Sequence, residues 1–283
     1  MSNNIPIIAF LSDFGDQDPY AGIVKGVMSQ IAPASKVIDL THNVSPGDVQ
    51  RAALILWQAV SYFPQGTIFL AVVDPSVGSK RLPIILKTKQ HIFIGPDNGL
   101  FTYVTLGGFT AWQISNPRFS LPIKYATFHG RDIFGPVAAY ASIGHPCEEF
   151  GLPIENIQKI ELPRSHIDID RMHGEILYVD YFGNLITSLG KFIPSNGTRT
   201  WMLSTWLPES KRNDMSYSFT NAYLQLNNGQ KLRMVSNYTE INENECAGLV
   251  GSSGLIEIAA NGSSAAKRLD LKNKDEILLM FPI

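Results

Sequence analysis

Ile68-Phe69-Leu70-Ala71-Val72-Val73-Asp74 runs an unbroken apolar stretch into a carboxylate, and Ile7-Ile8-Ala9-Phe10-Leu11-Ser12-Asp13 does nearly the same earlier in the chain. Runs of this kind mark strands covered on both faces, because neither alternating set of side chains meets water. Between them Tyr20, Ile23, Val24, Val27, Met28 and Ile31 recur at helical spacing until Pro33 ends the segment. Residues 35–40 read as a second strand, and Asp48 as the N-cap of a helix that buries Val49, Ala52, Ala53, Leu56, Trp57 and Val60. The order βαβαβ predicts a mostly parallel sheet with flanking helices. In open α/β sheets the ligand crevice lies beyond the carboxyl ends of the strands. Asp13 and Asp74 are therefore delivered to one edge, where a polar, cationic or sugar-bearing ligand belongs.

Further along, residues 82–86 and 91–94 are strand candidates closed by the turn Gly95-Pro96-Asp97-Asn98-Gly99. A helix over about 132–143 follows Phe128-His129-Gly130-Arg131. After Pro163 the texture changes to short alternating strands with turn signals: 175–179, 224–226 before Asn227-Asn228-Gly229, 231–235, 255–258 and 276–281. This divides the chain into an α/β N-terminal domain over 1–163 and an all-β C-terminal domain, a barrel or sandwich, over 173–283. Residues 161–172 serve as linker. Residues 196–221, with Trp201 and Trp206 amid polar neighbours, read as a long excursion from the β domain.

The chain has 283 residues, 45% of them apolar and 17% charged, which is the make-up of an ordinary globular protein. A formal net charge of −2 without a long basic run argues against nucleic acid as a partner. No apolar run approaches membrane-spanning length, and the first residues lack the basic and apolar stretch of a signal peptide, so the expected compartment is the cytoplasm. Cys147 and Cys246 stand far apart, outside any metal-type spacing, and read as reduced thiols. GxxxxGK[ST], GxGxxG after the first strand, GxSxG and HExxH are all absent, so a nucleoside-bearing ligand would lack a phosphate chain.

The chemistry-bearing segments each admit more than one reading. Ser12-Asp13-Phe14-Gly15-Asp16-Gln17-Asp18 offers three acids, which suit a hard cation, a ribose clamp, or a solvated loop whose Asp18 caps the next helix. In Asp74-Pro75-Ser76-Val77-Gly78-Ser79-Lys80-Arg81, Asp74 begins a turn, or Arg81 folds back on it as an oriented ion pair. His129 sits at a helix mouth on the same sheet edge; with Asp74 and Arg81 it could hold and activate a water molecule, or be structural. In Asp180-Tyr181-Phe182-Gly183-Asn184, the Asn184 amide could read a base with Phe182 stacked on the ring, or the segment is a plain hairpin turn. Gly251-Ser252-Ser253-Gly254 and Asn261-Gly262-Ser263-Ser264 could hold a carboxylate or the edge of a base through backbone amides and hydroxyls, or be ordinary turns.

Taken in order, SDFG at 12–15, VSPGDV at 44–49, DPSVGS at 74–79 with Arg81, FIGPDNGL at 93–100, FHGRDIFGP at 128–136, YFGN at 181–184 and GSSGLIEIA at 251–259 resemble the S-adenosylmethionine (SAM) hydrolase family. These enzymes, also called SAM hydroxide adenosyltransferases, are related to fluorinating and chlorinating enzymes that attack the same molecule. The resemblance implies an α/β domain followed by a β-barrel, assembled as a homotrimer with sites between subunits. It also implies that Asp13 binds the ribose hydroxyls and that Asp74, Arg81 and His129 position and activate water. Phe182 and Asn184 would hold adenine, Asp180 the methionine amino group, and Ser252 and Ser253 its carboxylate. No metal and no cofactor are implied, since SAM is the substrate. The halogenating relatives carry an uncharged residue where Asp74 stands, Ser where Gly130 stands and Arg where Ser253 stands. A carboxylate at Asp74 repels a halide, which places the chain on the water-using side. The competing expectations are a halide-using adenosyltransferase, a nucleoside-binding sensor without turnover, and a metal-dependent hydrolase built on Asp13, Asp16 and Asp18.

Overall fold

The computed structural model describes residues 5–122, 126–168, 170–194, 200–204, 216–219 and 221–281. The chain divides into two compact units, Met1–Ile160 and Glu161–Ile283. The first holds a seven-stranded sheet: β1 (Ile7–Ser12), β2 (Lys36–Thr41), β3 (Ile68–Val72), β4 (Pro83–Lys87), β5 (Ile92–Pro96), β6 (Thr110–Ile114) and β7 (Gly151–Ile154), in the order β2-β1-β3-β5-β4-β6-β7. The adjacent strands β2, β1, β3 and β5 run parallel, as the βαβαβ pattern requires, while β4, β6 and β7 add antiparallel pairings, so the whole sheet is mixed.

Period-2 alternation explains why β1 and β3 are apolar throughout. Ile8, Phe10, Leu70 and Val72 face a core shared with Val24 and Met28 of helix α1 (Tyr20–Ile31) and Val137 and Ala138 of α3 (Gly135–Ser142). Ala9, Leu11, Phe69, Ala71 and Val73 face the opposite core with Ala52 and Leu56 of α2 (Val49–Val60). The Asp48 side chain caps α2 by accepting the Arg51 amide at 2.9 Å, as its position in the sequence predicts. Asp18 does not cap α1: that helix starts after Pro19 with no side-chain cap bond.

The helix expected over 132–143 opens differently. Residues Gly130–Phe134 form a π-helical turn in which the Gly135 amide donates to the Gly130 carbonyl, and α3 begins only at Gly135. Pro136 is the physical reason, since it has no N–H to give the Asp132 carbonyl; the Leu121 amide takes that carbonyl instead, at 2.8 Å. Wide turns of this kind recur at functional sites, and His129 stands at the mouth of this one.

The second unit is antiparallel. Its strands are β8 (Ser165–Ile167), β9 (Arg171–Val179), β10 (Leu185–Pro194), β11 (Thr200–Ser204), β12 (Ser216–Ser218), β13 (Tyr223–Leu226), β14 (Lys231–Arg233), β15 (Cys246–Val250), β16 (Leu255–Ala260) and β17 (Glu276–Met280). The sequence β10-β9-β17-β13-β14 is joined to β15 by the Met234–Gly248 bridge, and β15-β16 returns to β10, giving a nearly closed barrel. Its core includes Met172, Ile176, Leu185, Leu189, Leu224, Ile256, Ile258, Ile277 and Leu279. The expected Asn-Gly turn joins β13 to β14, with Gly229 at φ +81° donating to Leu226. Part of the expected linker is strand: β8 pairs with β9, and β9 begins at Arg171. Of the excursion over 196–221, β11 and β12 pair antiparallel; residues 205–215, with Trp206, lie outside the described residues. Cys147 and Cys246 are free and buried. No helix among the described residues is long and apolar enough to cross a membrane.

Candidate active site

In the first unit, β1 and β3 are paired parallel and end together, so Asp13 and Asp74 enter the loops at the same sheet edge. The Asp13 Oδ2 accepts the Gly47 amide at 2.8 Å. Gly47 holds φ +75°, and a Cβ there would lie 3.3 Å from Pro75, so the loops carrying Asp13, Gly47 and Asp74 are packed on one another. Burial pushes the Asp13 carboxyl above its ordinary range; the Gly47 amide and its own amide oppose the rise, and the charge of Asp74 adds to it.

Arg81 does fold back on Asp74. Gly78, at φ +81°, turns the loop, and the Arg81 amide donates to Ser79 Oγ at 3.2 Å. The guanidinium grips the carboxylate: Nε is 3.0 Å from each oxygen and Nη2 also donates to Oδ2. Both side chains are almost wholly buried, 7% and 6% exposed. Nη2 also lies 2.6 Å from His129 Nδ1. A guanidinium can only donate, so Nδ1 is the acceptor and the proton of a neutral ring sits on Nε2. Burial first, then the positive Arg81, hold the His129 imidazolium below its ordinary pKa, against the pull of Asp74 and Asp132. Arg81 Nη1 is buried with no hydrogen-bond partner among the described residues, and the guanidinium lies 5.3 Å above the Phe134 ring. An orphaned buried donor is costly and marks a place for a polar ligand.

Residues that the sequence reading passed over hold this edge together. Ser12 Oγ and His42 Nδ1 are 2.7 Å apart and buried, while the His42 carbonyl accepts the Gly15 amide at 2.8 Å. His42 thus brackets the Asp13 loop from both sides. Asn98 Nδ2 donates to the Val73 carbonyl at 2.8 Å, fixing the backbone just before Asp74. Phe14, Tyr20 and Phe128 pack in edge-to-face and tilted contacts, with centroids 5.4–6.2 Å apart, and Phe14 and Phe128 lie against Gly130. Asp16 is tied to Asn43 at 2.5 Å, and no group of three or more His, Cys, Asp or Glu among the described residues could hold a metal ion.

The other predicted residues belong to the second unit. Asp180 organises its own hairpin: Oδ1 accepts the amides of Phe182 and Asn184 at 2.9 and 2.8 Å, and Oδ2 accepts the Asn184 side chain at 3.0 Å. Phe182 is 77% exposed, which is unusual for a large ring, and it meets the Tyr181 ring in a T-shaped contact with centroids 5.7 Å apart. Phe182 and Asn184 line a cavity of about 540 Å³ with Tyr238, Asn261, Gly262 and Ser263. Gly183, at φ +88°, packs so closely on Ser264 that a Cβ would come within 2.3 Å of its hydroxyl. Ser252 is exposed at the tip of the β15–β16 turn, and Ser253 Oγ accepts the Leu255 amide at 3.4 Å. Two further residues stand beside these: buried Glu257 on β16 and Tyr238, whose hydroxyl donates to Glu257 Oε1.

Comparison with known proteins agrees with this division. Residues 8–151 match the family model for the SAM hydroxide adenosyltransferase N-terminal domain, and residues 174–278 match the model for its C-terminal domain. The chain is 33% identical to the (R)-S-adenosyl-L-methionine hydrolase of Thermus thermophilus, across 96% of this chain and 99% of that protein. It is 29% identical to a fluorinase of an Actinoplanes species, over 65% of this chain and 73% of that one. A crystal structure of an uncharacterized conserved protein from Thermotoga maritima superposes with a TM-score of 0.81 at 30% identity, covering 96% of this chain and 99% of that one. The two-unit architecture and these matches across nearly its whole length establish that the chain belongs to the SAM hydroxide adenosyltransferase family.

Proposed function

We propose that this protein hydrolyses S-adenosyl-L-methionine to adenosine and L-methionine by in-line attack of water at C5′. The observation that carries the reading is the hydrogen-bonded chain Asp74–Arg81–His129, with a buried, unsatisfied guanidinium nitrogen at its centre. The full-length likeness to a protein named as a SAM hydrolase supports the same substrate.

SAM is a sulfonium, so methionine leaves as a neutral thioether and needs no acid to help it depart. As the new C–O bond forms, positive charge passes from sulfur to the attacking oxygen, and a proton must leave that oxygen. The site has to orient water behind C5′, exclude competing solvent and accept that proton. Arg81 is the pivot. It fixes Asp74 through both carboxylate oxygens and occupies the His129 lone pair, so proton uptake by either group displaces one of its contacts. Its positive charge also favours a developing hydroxide. In this reading Asp13, whose carboxylate accepts the Gly47 amide, also accepts the ribose hydroxyls. In the second unit Phe182 and Asn184 offer a ring face and an amide to adenine, and Ser252 and Ser253 offer hydroxyls and backbone amides to the methionine carboxylate. The proposed assembly is a homotrimer in which each site joins the first unit of one subunit to the second unit of a neighbour. Light scattering of the purified protein reads that mass directly.

The negative charge at Asp74 disfavours a halide nucleophile. Chromatography of the products from either sulfonium epimer of SAM, with and without added chloride or fluoride, decides between the readings. Equal amounts of adenosine and methionine, unchanged by halide and by EDTA, are expected. A 5′-halo-5′-deoxyadenosine would establish the halide reaction, and tight adenosine binding without turnover would establish a sensor.

A further inference from the structure

The π-helical turn at Gly130–Phe134 does more than open α3. In an α-helix, residues five apart point about 140° away from each other. Here the Gly135 amide closes on the Gly130 carbonyl, which adds a residue to the turn and brings positions 129 and 134 toward the same side. The His129 and Phe134 rings accordingly meet in a T-shaped contact, with centroids 6.4 Å apart. The turn has little room to shift. A Cβ at Gly135 would lie 3.0 Å from the Gly130 carbonyl and 3.0 Å from Val24 of α1, and one at Gly130 would lie 3.0 Å from Phe14. Phe134 is fully buried in the core shared with α1 and α3, so its ring is a fixed surface.

That surface lies under Arg81. The guanidinium carbon sits over the Phe134 ring, 5.3 Å from its centroid and within cation–π range. The ring supplies what the hydrogen bonds do not. Nε and Nη2 reach Asp74 and His129 along N–H bonds, which lie in the guanidinium plane. Such contacts fix the group within that plane and leave it free to tilt. A ring packed beneath the central carbon blocks the tilt on one side. The same plane sets where the buried, unpartnered Nη1 aims, because its hydrogens lie in it. One buried ring thus touches both partners of the Arg81–His129 contact.

Building on the hydrolase reading, we infer that Phe134 is a positioning residue for the reaction: the π-helical turn carries its ring beneath Arg81 and beside His129, and the negative ring face fixes the angle at which Arg81 presents Nη1 and meets the imidazole. Acting through Arg81, Phe134 belongs to kcat rather than to KM.

The test replaces Phe134 in the full chain by mono-, di- and trifluorinated phenylalanine. Successive fluorines drain negative charge from the ring face and change its size little, so packing is kept while the attraction for a cation is lost. The kcat for adenosine formation from SAM is expected to fall stepwise along the series, by about fivefold to thirtyfold at the trifluorinated ring, the size of a desolvated cation–π contact. KM for SAM is expected to stay within about twofold of wild type. A kcat that stays level, or that drops by the same amount whatever the number of fluorines, would overturn the inference while leaving the hydrolase reading intact. A wild-type protein that forms no adenosine would overturn both. Should the trifluorinated protein not fold, the trend across the native, mono- and difluorinated rings reads the same two outcomes.

Discussion

Replacing Arg81 by Met removes the centre of the proposed machinery and leaves the Asp74 carboxylate buried without its partner. The Asp74 and Arg81 side chains are 6% and 7% exposed, and the fork makes contacts to both carboxylate oxygens. Breaking a buried pair from one side costs about 3–5 kcal/mol, because the remaining charge is stranded. For a unit the size of Met1–Ile160 this corresponds to a fall of roughly 6–20 °C in midpoint temperature, at about 2–4 °C per kcal/mol. Asp74→Leu should cost a similar amount, since it strands the guanidinium instead. The double variant Asp74→Leu/Arg81→Met should be more stable than either single one, because replacing both charges by apolar groups is often close to neutral. Scanning calorimetry on the wild type and these variants gives the coupling energy, expected to be several kcal/mol. Every one of the variants should lose at least about a hundredfold in kcat, the scale of a removed oxyanion-type donor. Single variants that melt within about 2 °C of wild type, with an additive double variant, would refute the reasoning.

The His129 ring is held neutral by burial and by Arg81, so its protonated form should appear only below the ordinary imidazole value of 6.5. Activity that needs the neutral ring then persists as pH falls through 6.5 and is lost lower; an NMR titration of His129 with its midpoint at or above 6.5 would contradict this, and Arg81→Met should move the midpoint upward. Asp13→Asn keeps an oxygen for the Gly47 amide but removes the charge, and should raise KM for SAM by roughly tenfold while changing kcat far less, as expected for loss of uniform binding. Gly130→Ser places a Cβ 3.0 Å from the Phe14 ring and 3.3 Å from the Phe128 ring; it should destabilise the first unit by about 1–3 kcal/mol and yield no halogenated product when assayed with chloride.

The parallel half of the first unit was legible because β1 and β3 lie between two helical layers and show apolar residues at every position. The antiparallel half was not. Thr110–Ile114 and Gly151–Ile154 are short, one contains Pro153, and they become strands only by pairing with β4 and with each other. The π-helical turn at Gly130 follows from where the proline leaves a carbonyl free, which periodicity does not register. Asp13, Asp74, Arg81 and His129 stood out as candidates because strand ends and a glycine-bearing loop announce them. His42 was missed because its partner, Ser12, is thirty positions away and the contact exists only once β2 pairs with β1. Glu257 left a fainter trace: a single acid inside Leu255–Ala260, otherwise wholly apolar, is a signal that a strand reading alone can pick up and that the motif reading absorbed.

Carrying out the reaction in water enriched in ¹⁸O and weighing both products by mass spectrometry tests the central claim most directly. Attack of solvent on C5′ puts one heavy oxygen in the 5′-hydroxyl of adenosine and none in methionine. Adenosine without the label, or label found in the amino acid, would contradict it.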